Sequence, residues 1–370
     1  MNLSLADFTH MARAQRLAER GLYTCMPNPR VGCVIVKDSA VAGEGWHQQA
    51  GQAHAEINAL RAAGKVAAGG TAYVSLEPCC HHGKTGPCTQ ALIDAKVARV
   101  VIGMEDPNPL VAGKGVAQLR AAGIEVVGPL LEEGARALNP GFIKRMQQGL
   151  PYVRVKMAMS LDGRTAMASG ESKWITGQPA RSDVQRWRAR SCAVLTGIGT
   201  VLQDDPALTV RAADLDIAAA DAIAQRQPLR VLLDTRGRIP TTARILAKLG
   251  RVLVINADAN APTIAAPHVE QVRLDSASSI DLPQVLRLLA DKSCNEVWIE
   301  AGATLAGSFI QQGLVDELII YAAPKLLGSR ARPLFELPLD TMAAQLSLNI
   351  VDVRAVGNDW RITATLDREM

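Results

Sequence analysis

The sequence predicts two α/β domains in tandem, and three observations carry that prediction. Its 370 residues exceed what one ordinary core organises, at about 150 residues per domain. Helical and strand periodicities alternate along both halves, the pattern of helices layered on a sheet. A stretch bounded by Pro140 and Pro151 separates the two runs, so the domains are expected at 1–148 and 149–370.

Leu5, Phe8, Ala12 and Leu17 recur at helical spacing and Gly21 supplies a stop, which gives a first helix over 4–20. An extended segment over 28–38, a Gly-broken turn, a helix over 54–63 and a buried strand over 71–78 follow. A helix over 88–97, a strand over 99–109, a helix over 113–122 and a strand over 124–128 complete the first alternation. The connector 139–151 has a helical centre and reads as ordered. The second half opens with a strand over 152–160 and a helix over 179–190. Strands over 230–234, 251–256, 296–302 and 317–324, a helix over 281–291 and a strand-rich tail over 345–366 come after. The Ala-rich stretch 212–227 reads as a surface insertion.

With 48% hydrophobic and 21% charged residues, disorder, collagen and coiled coil are excluded as whole-chain readings. No apolar stretch approaches the ~18–20 residues a bilayer requires, and the N-terminus lacks an apolar signal core. A cytoplasmic protein with no membrane partner is expected. A net charge of +4 and 4% aromatic residues do not call for nucleic acid. In such a compartment, seven cysteines favour metal binding or free thiols over disulfides. Five of them (Cys25, Cys33, Cys79, Cys80, Cys88) and five of six histidines lie before residue 150, so soft-metal chemistry belongs to the first domain.

His54-Ala55-Glu56 is a weak signal alone. Pro78-Cys79-Cys80-His81-His82-Gly83-Lys84-Thr85-Gly86-Pro87-Cys88 strengthens it, because it runs from a strand into a helix N-terminus that favours thiolates. Zinc deaminases carry H-x-E followed by P-C-x-x-C, with one His and two Cys as ligands. Here eight residues separate Cys79 from Cys88. A catalytic zinc needs three ligands and one open corner. Cys80, His81 and His82 are rival ligands, but Cys79 follows a proline and Cys88 opens a helix, so His54, Cys79 and Cys88 are the preferred zinc set. A structural four-ligand site is the alternative. Zinc brings the pKa of bound water down towards about 7. Glu56 is placed to take that proton and return it to a ring nitrogen and a departing amine. Asn28-Pro29-Arg30-Val31-Gly32 is either a turn or an amide that hydrogen-bonds a heterocycle.

In the second half the dinucleotide fingerprint G-x-G-x-x-G is absent, since Gly197-Ile198-Gly199-Thr200-Val201-Leu202 ends in Leu. That argues against a standard Rossmann dehydrogenase. Gly302 to Ser308, between a strand and a helix, is either a phosphate site or a structural turn.

NPRVG, HAE and LEPCCHHGKTGPC resemble the deaminase half of a bifunctional riboflavin-biosynthesis family. Its members fuse a diaminohydroxyphosphoribosylaminopyrimidine deaminase to a 5-amino-6-(5-phosphoribosylamino)uracil reductase. Residues 156–176, 196–211 and 299–328 are similar to its reductase half. The resemblance implies a cytidine-deaminase-like three-layer α/β domain followed by a dihydrofolate-reductase-like α/β domain. It implies zinc-dependent deamination of a phosphoribosylated diaminopyrimidinone, then hydride transfer from NADPH that opens the ribose to a ribityl chain.

By matching position it places Lys84 at the first substrate. It places Ala158, Trp174, Thr200, Asp204, Thr235 and Gly302, Ala303, Thr304, Leu305, Ala306, Gly307 and Ser308 at NADP. Ser172, Arg188, Leu208, Arg211 and Glu300 would hold the second substrate. Arg188 and Arg211 make sense as bidentate phosphate ligands, the alternative being a solvated helix face. Lys156 and Asp204 are candidates for orienting the sugar and supplying charge, with Asp205 as rival to Asp204. Trp174 either stacks on the nicotinamide or fills core. The expected partner is the phosphorylated pyrimidine, not nucleic acid, in a homo-oligomeric enzyme. The rivals are a tRNA deaminase with an accessory domain and a non-catalytic zinc- and nucleotide-binding module.

Overall fold

Ser4 and Asp7 cap the first helix, α1 (Leu5–Glu19), reciprocally: the Ser4 hydroxyl accepts from the Asp7 N–H, and the Asp7 carboxylate accepts from the Ser4 N–H at 2.8 Å. The computed structural model describes residues 3–81, 86–247, 250–274 and 279–367. It divides into two compact units, Met1–Leu150 and Pro151–Met370. Asp7 also accepts from the Tyr73 hydroxyl at 2.8 Å and from Arg99 at 2.6 Å. Burial works against the charge, but these donors, Arg99 foremost, hold the carboxyl well below the usual range. The ionised form therefore stabilises the fold above the ordinary carboxyl pKa, and that contribution is lost as pH falls below it. Asp7→Asn is expected to cost about 2 kcal/mol near neutrality. Thermal melts at falling pH should show the gap to wild type narrowing below about 4.

The first unit continues through β1 (Gly32–Lys37), β2 (Ala40–Trp46), α2 (Ala55–Ala63), β3 (Thr71–Val74), α3 (Cys88–Asp94) and β4 (Arg99–Ile102). It ends with α4 (Lys114–Ala121), β5 (Glu125–Val127), α5 (Glu132–Leu138) and α6 (Pro140–Gln148). The sheet order is β2-β1-β3-β4-β5, antiparallel on the β2 side and parallel from β3 onward. Met11, Ala14 and Leu17 of α1 pack with Val34, Val36, Tyr73 and Val101 in one core cluster. Ala55 and Ala59 of α2, Leu92 of α3 and Leu119 of α4 pack with Cys33, Ile35, Val74 and Val100 in another. Alternate β1 residues thus serve two apolar layers, the outcome of strand alternation.

The Gly-broken turn expected after residue 38 is instead strand β2. Its glycines suppress strand propensity, but tertiary packing requires them. A Cβ on Gly45 would lie 2.5 Å from the Ala55 carbonyl oxygen, and one on Gly43 would lie 2.4 Å from that of Ala59. The bare backbone of β2 lets α2 lie close on the sheet, and so sets where the N-terminus of α2 falls. The strands expected over 71–78 and 99–109 stop at Val74 and Ile102. Glu77 lies beyond the first of these stops, its carboxylate accepting backbone N–H groups of Asp106 (3.1 Å), Gly113 (2.9 Å) and Val116 (3.0 Å).

The second unit begins with β6 (Tyr152–Ser160), β7 (Arg164–Ala166), α7 (Gln178–Arg190), β8 (Ala193–Gly197) and α8 (Ile198–Asp204). Then come α9 (Ala220–Gln225), β9 (Leu229–Leu233), α10 (Arg244–Ala247), β10 (Val252–Asn256), β11 (Val269–Arg273) and α11 (Leu282–Asp291). The remaining elements are β12 (Glu296–Glu300), α12 (Ala303–Gln311), β13 (Glu317–Ala323), β14 (Arg332–Pro333), β15 (Leu348–Val356) and β16 (Asp359–Leu366).

Nine strands form one sheet in the order β11-β10-β9-β8-β12-β6-β13-β16-β15. Those from β11 to β13 are parallel, and β16 and β15 extend the sheet antiparallel. The carboxyl ends of seven strands therefore share one edge, where ligands of open α/β sheets bind. Residues 212–227 are not merely superficial: Leu215 and Ile223 are buried, and the Gln227 side chain bonds both the N–H and the carbonyl of Val210.

Candidate active sites

His54 is the N-cap of α2, Cys88 the first residue of α3, and Cys79 lies in the loop after β3. Two helix N-termini and a strand exit thus bring the three side chains together, with all donor atoms within 4.8 Å of one another. His54 Nδ1 lies 3.5 Å from Cys79 Sγ and 3.4 Å from Cys88 Sγ. A tetrahedral zinc with ordinary Zn–N and Zn–S bonds needs N···S edges of about 3.6 Å, so the donor set fits that metal in both chemistry and spacing. Cys80 and His81 stand outside the cluster, and His82 and Lys84 lie outside the described residues. The Cys88 thiol, the His54 ring and the Cys88 N–H together pull the Cys79 thiol down to about 4.

Glu56, two residues into the same helix turn, is 3% exposed. Burial pushes its carboxyl up to about 7, and the neighbouring Cys79 thiolate pushes the same way. The Asn28 amide donates to His47 Nε2 at 3.0 Å, and His47 Nδ1 donates to the Ala53 carbonyl at 3.1 Å. This leaves the Asn28 oxygen as acceptor. His47 itself stands edge-on to His54, with ring centroids 5.3 Å apart. Nothing in the local sequence singles out His47. Asp106 is another residue that motif reading missed: buried, its carboxyl raised to about 7 by burial and by Glu77 and Cys79. The exposed-looking DPNP turn carries no signal of that burial.

In the second unit, parallel pairing places Glu300 of β12 level with Lys156 of β6. Arg188 of α7 grips Glu300 through Nε to Oε1 at 2.5 Å and Nη2 to Oε2 at 2.8 Å, and donates to the Thr209 carbonyl at 3.2 Å. The fork expected to meet a phosphate is thus closed on a carboxylate. Burial lowers the Lys156 ammonium, Glu300 counteracts and Arg188 adds to the lowering. Glu300 resists its own burial because Arg188 above all, then Lys156, holds it ionised at about 2. Lys156 and Arg188 thus share one carboxylate, Glu300.

Ser172 donates to Asp204 at 3.4 Å. Asp205 instead turns away to accept the Arg244 N–H at 2.8 Å, which separates the two rivals. A Cβ on Gly197 would meet the Leu305 side chain at 3.0 Å, so the turn leading to Thr200 and the Gly302 turn are neighbours. Gly302 caps α12, whereas Ala306 and Gly307 are buried, Gly307 against the Glu336 carbonyl. The Leu208 side chain packs in the core, and Arg211 pairs with Asp214. Thr235 receives the Ala257 and Asp258 N–H groups on its carbonyl. Ala158 lies on β6 opposite Tyr321. Trp174 is 64% exposed with the Arg181 guanidinium 4.6 Å above its ring, so it does not fill core.

Residues 6–104 match the family described as the cytidine and deoxycytidylate deaminase zinc-binding region, and residues 151–362 match the RibD C-terminal domain. The chain is 50% identical to the riboflavin biosynthesis protein RibD of Escherichia coli, over 96% of this chain and 98% of that one. It is 47% identical to the protein of the same name in Haemophilus influenzae, over 99% of each. Among solved structures, one form of Acinetobacter baumannii RibD is similar with a TM-score of 0.91 and 50% identity, covering 98% of this chain and 99% of that chain. A Thermotoga maritima diaminohydroxyphosphoribosylaminopyrimidine deaminase/5-amino-6-(5-phosphoribosylamino)uracil reductase is similar at 0.86 and 34% identity over the same shares. Identity at this level along nearly the whole length, with a zinc-type donor set in the first unit, shows that the chain belongs to the RibD family of bifunctional deaminase–reductases.

Proposed function

We propose that His54, Cys79 and Cys88 hold zinc and that Glu56 moves protons beside it, in a bifunctional riboflavin-biosynthesis enzyme of which 1–148 is the deaminase and 149–370 the reductase. The observation that carries the first half is the three-donor cluster with a buried carboxylate two residues from one donor. A zinc held there would lower the pKa of a bound water, so that hydroxide is available near neutral pH as the nucleophile for an amino-bearing ring carbon. Glu56 would take one proton from that water and pass it to the ring nitrogen, then take a second from the hydroxyl left on the attacked carbon and pass it to the amine, which leaves as ammonia. Asn28, oriented by His47, offers its carbonyl to a ring N–H of the pyrimidine, and Lys84 belongs to the same substrate.

In the second unit NADPH supplies the hydride. Gly302 to Leu305 and Ser308, with Thr200, Thr235, Ala158 and Trp174, would line the cofactor, the Gly302 end of α12 favouring its phosphates, while buried Ala306 and Gly307 pack the helix beneath them. Lys156 supplies positive charge at the reacting carbon, and Asp204, held by Ser172, orients the sugar. Glu300 holds the substrate, with Leu208 and Arg211 nearby. Arg188 acts through Glu300 as well as on the substrate. Arg188→Ala is expected to raise the substrate KM at least about tenfold, because it also strips a buried carboxylate of its bidentate partner. Steady-state reduction of the deaminated substrate checks this, and an unchanged KM would return Arg188 to a supporting role in the fold.

Purified protein given the phosphoribosylated diaminopyrimidinone should release ammonia and then consume NADPH in preference to NADH. Release from tRNA instead would overturn the substrate reading. No helix is long and apolar enough to cross a membrane among the described residues. A cytoplasmic, nucleic-acid-independent homo-oligomer fits best. Edge strand β15 supports the last point, since Leu348, Ile350, Val351 and Val353 are exposed along it. Light scattering should return a multiple of 39.4 kDa, and Val353→Lys should shift it towards the single-chain mass.

A further inference from the structure

Trp298 and Glu300 lie two residues apart on β12, so their side chains leave the same face of the sheet. We propose that Trp298 is a positioning residue of the reductase site, its indole N–H setting the Glu300 carboxylate against Arg188 and beside Lys156. The inference rests on the reading of Glu300 as a group that holds substrate.

A fully buried indole must find an acceptor for its N–H, and Trp298 Nε1 donates to Glu300 Oε1 at 2.9 Å. Arg188 Nε donates to the same oxygen at 2.5 Å, and Arg188 Nη2 donates to Oε2 at 2.8 Å. Oε1 therefore takes two donors and is saturated. Oε2 takes one and keeps a lone pair for a substrate hydroxyl. Arg188 alone would leave the carboxylate plane to follow one flexible side chain. The second donor, from a strand, removes that freedom.

Trp298 is itself fixed. Its ring lies flat on Trp187, at an interplanar angle of 2° and a centroid separation of 5.3 Å. Trp187 precedes Arg188 on α7, so one helix supplies both the guanidinium and the platform for the other donor. The guanidinium carbons of Arg190 and Arg154 stand 4.7 and 5.3 Å from the Trp187 ring centroid, which gives the stack a positive surround. A tryptophan serving only as filler would have no need of this particular acceptor or of a stacked partner.

The test uses the full chain with Glu300→Gln, Trp298→Phe and the double variant, reading reductase kcat/KM, NADPH affinity, ammonia release and the indole N–H resonances of the five tryptophans. Trp298→Phe keeps an aromatic ring on Trp187 and removes the donor. It should lower kcat/KM about tenfold, the scale of one hydrogen bond to a charged group, with NADPH affinity and deamination unchanged. Placed on Glu300→Gln, it should add little, because both act through one carboxylate. The indole resonance missing from Trp298→Phe should shift in Glu300→Gln, a measurement that keeps Trp298 in place should its replacement fail to fold.

Wild-type reduction by Glu300→Gln would sink the reading of Glu300, and this inference with it. An impaired Glu300→Gln beside an unimpaired Trp298→Phe would overturn the inference alone. Fully additive losses, or an unmoved indole resonance, would do the same.

Discussion

Glu56→Gln should cut deamination about 10³-fold while the zinc content of the protein stays unchanged, since a positioned general base contributes about 10²–10⁴. The amide fills the same space in a site where Glu56 is 3% exposed, so packing on α2 survives. What disappears is a group that can accept a proton beside His54 and release it again. The three metal donors are other side chains, so elemental analysis separates loss of proton transfer from loss of metal. A variant running at full rate would rule out the shuttle, and one that lost zinc would make Glu56 part of the metal's support.

Lys156→Met should lower reductase turnover by about 10²–10³, the usual worth of one oriented charge aimed at a reacting centre. Methionine nearly matches the stem of the side chain on β6, so the sheet should hold. The electrostatics change sharply. With Lys156 gone, Arg188 and Glu300 remain as a closed ion pair, and the amine that the proposed mechanism places at the reacting carbon is lost. Deamination by the same preparation should be untouched, which serves as the internal control. Loss confined to KM with kcat intact would mean that Lys156 only binds substrate.

Much of the candidate metal site is legible in the sequence. His54 and Glu56 sit two apart at a helix start, and Cys79 and Cys88 each have a local support. The candidate site of the second unit is less so. Lys156, Arg188 and Glu300 come from three separate segments, and their meeting depends on β12 returning to lie between β8 and β6. Arg188 read as a phosphate fork because its partner lies 112 residues away in the chain. Asp204 and Asp205 are equivalent neighbours in the sequence, whereas in the fold Asp205 accepts the Arg244 N–H and Asp204 the Ser172 hydroxyl.

What the sequence determined by itself was the kind of most strongly periodic elements and the donor chemistry for zinc, both written in neighbouring residues, whereas the second activity rested on resemblance to a family. Tertiary structure alone decided that the glycine-rich stretch 40–46 is a strand, that His47 orients Asn28, and which carboxylate closes on Arg188. The division has a physical cause. Propensity and motif act over a few residues, whereas a close helix–sheet contact or a buried ion pair depends on which distant segment the fold brings alongside.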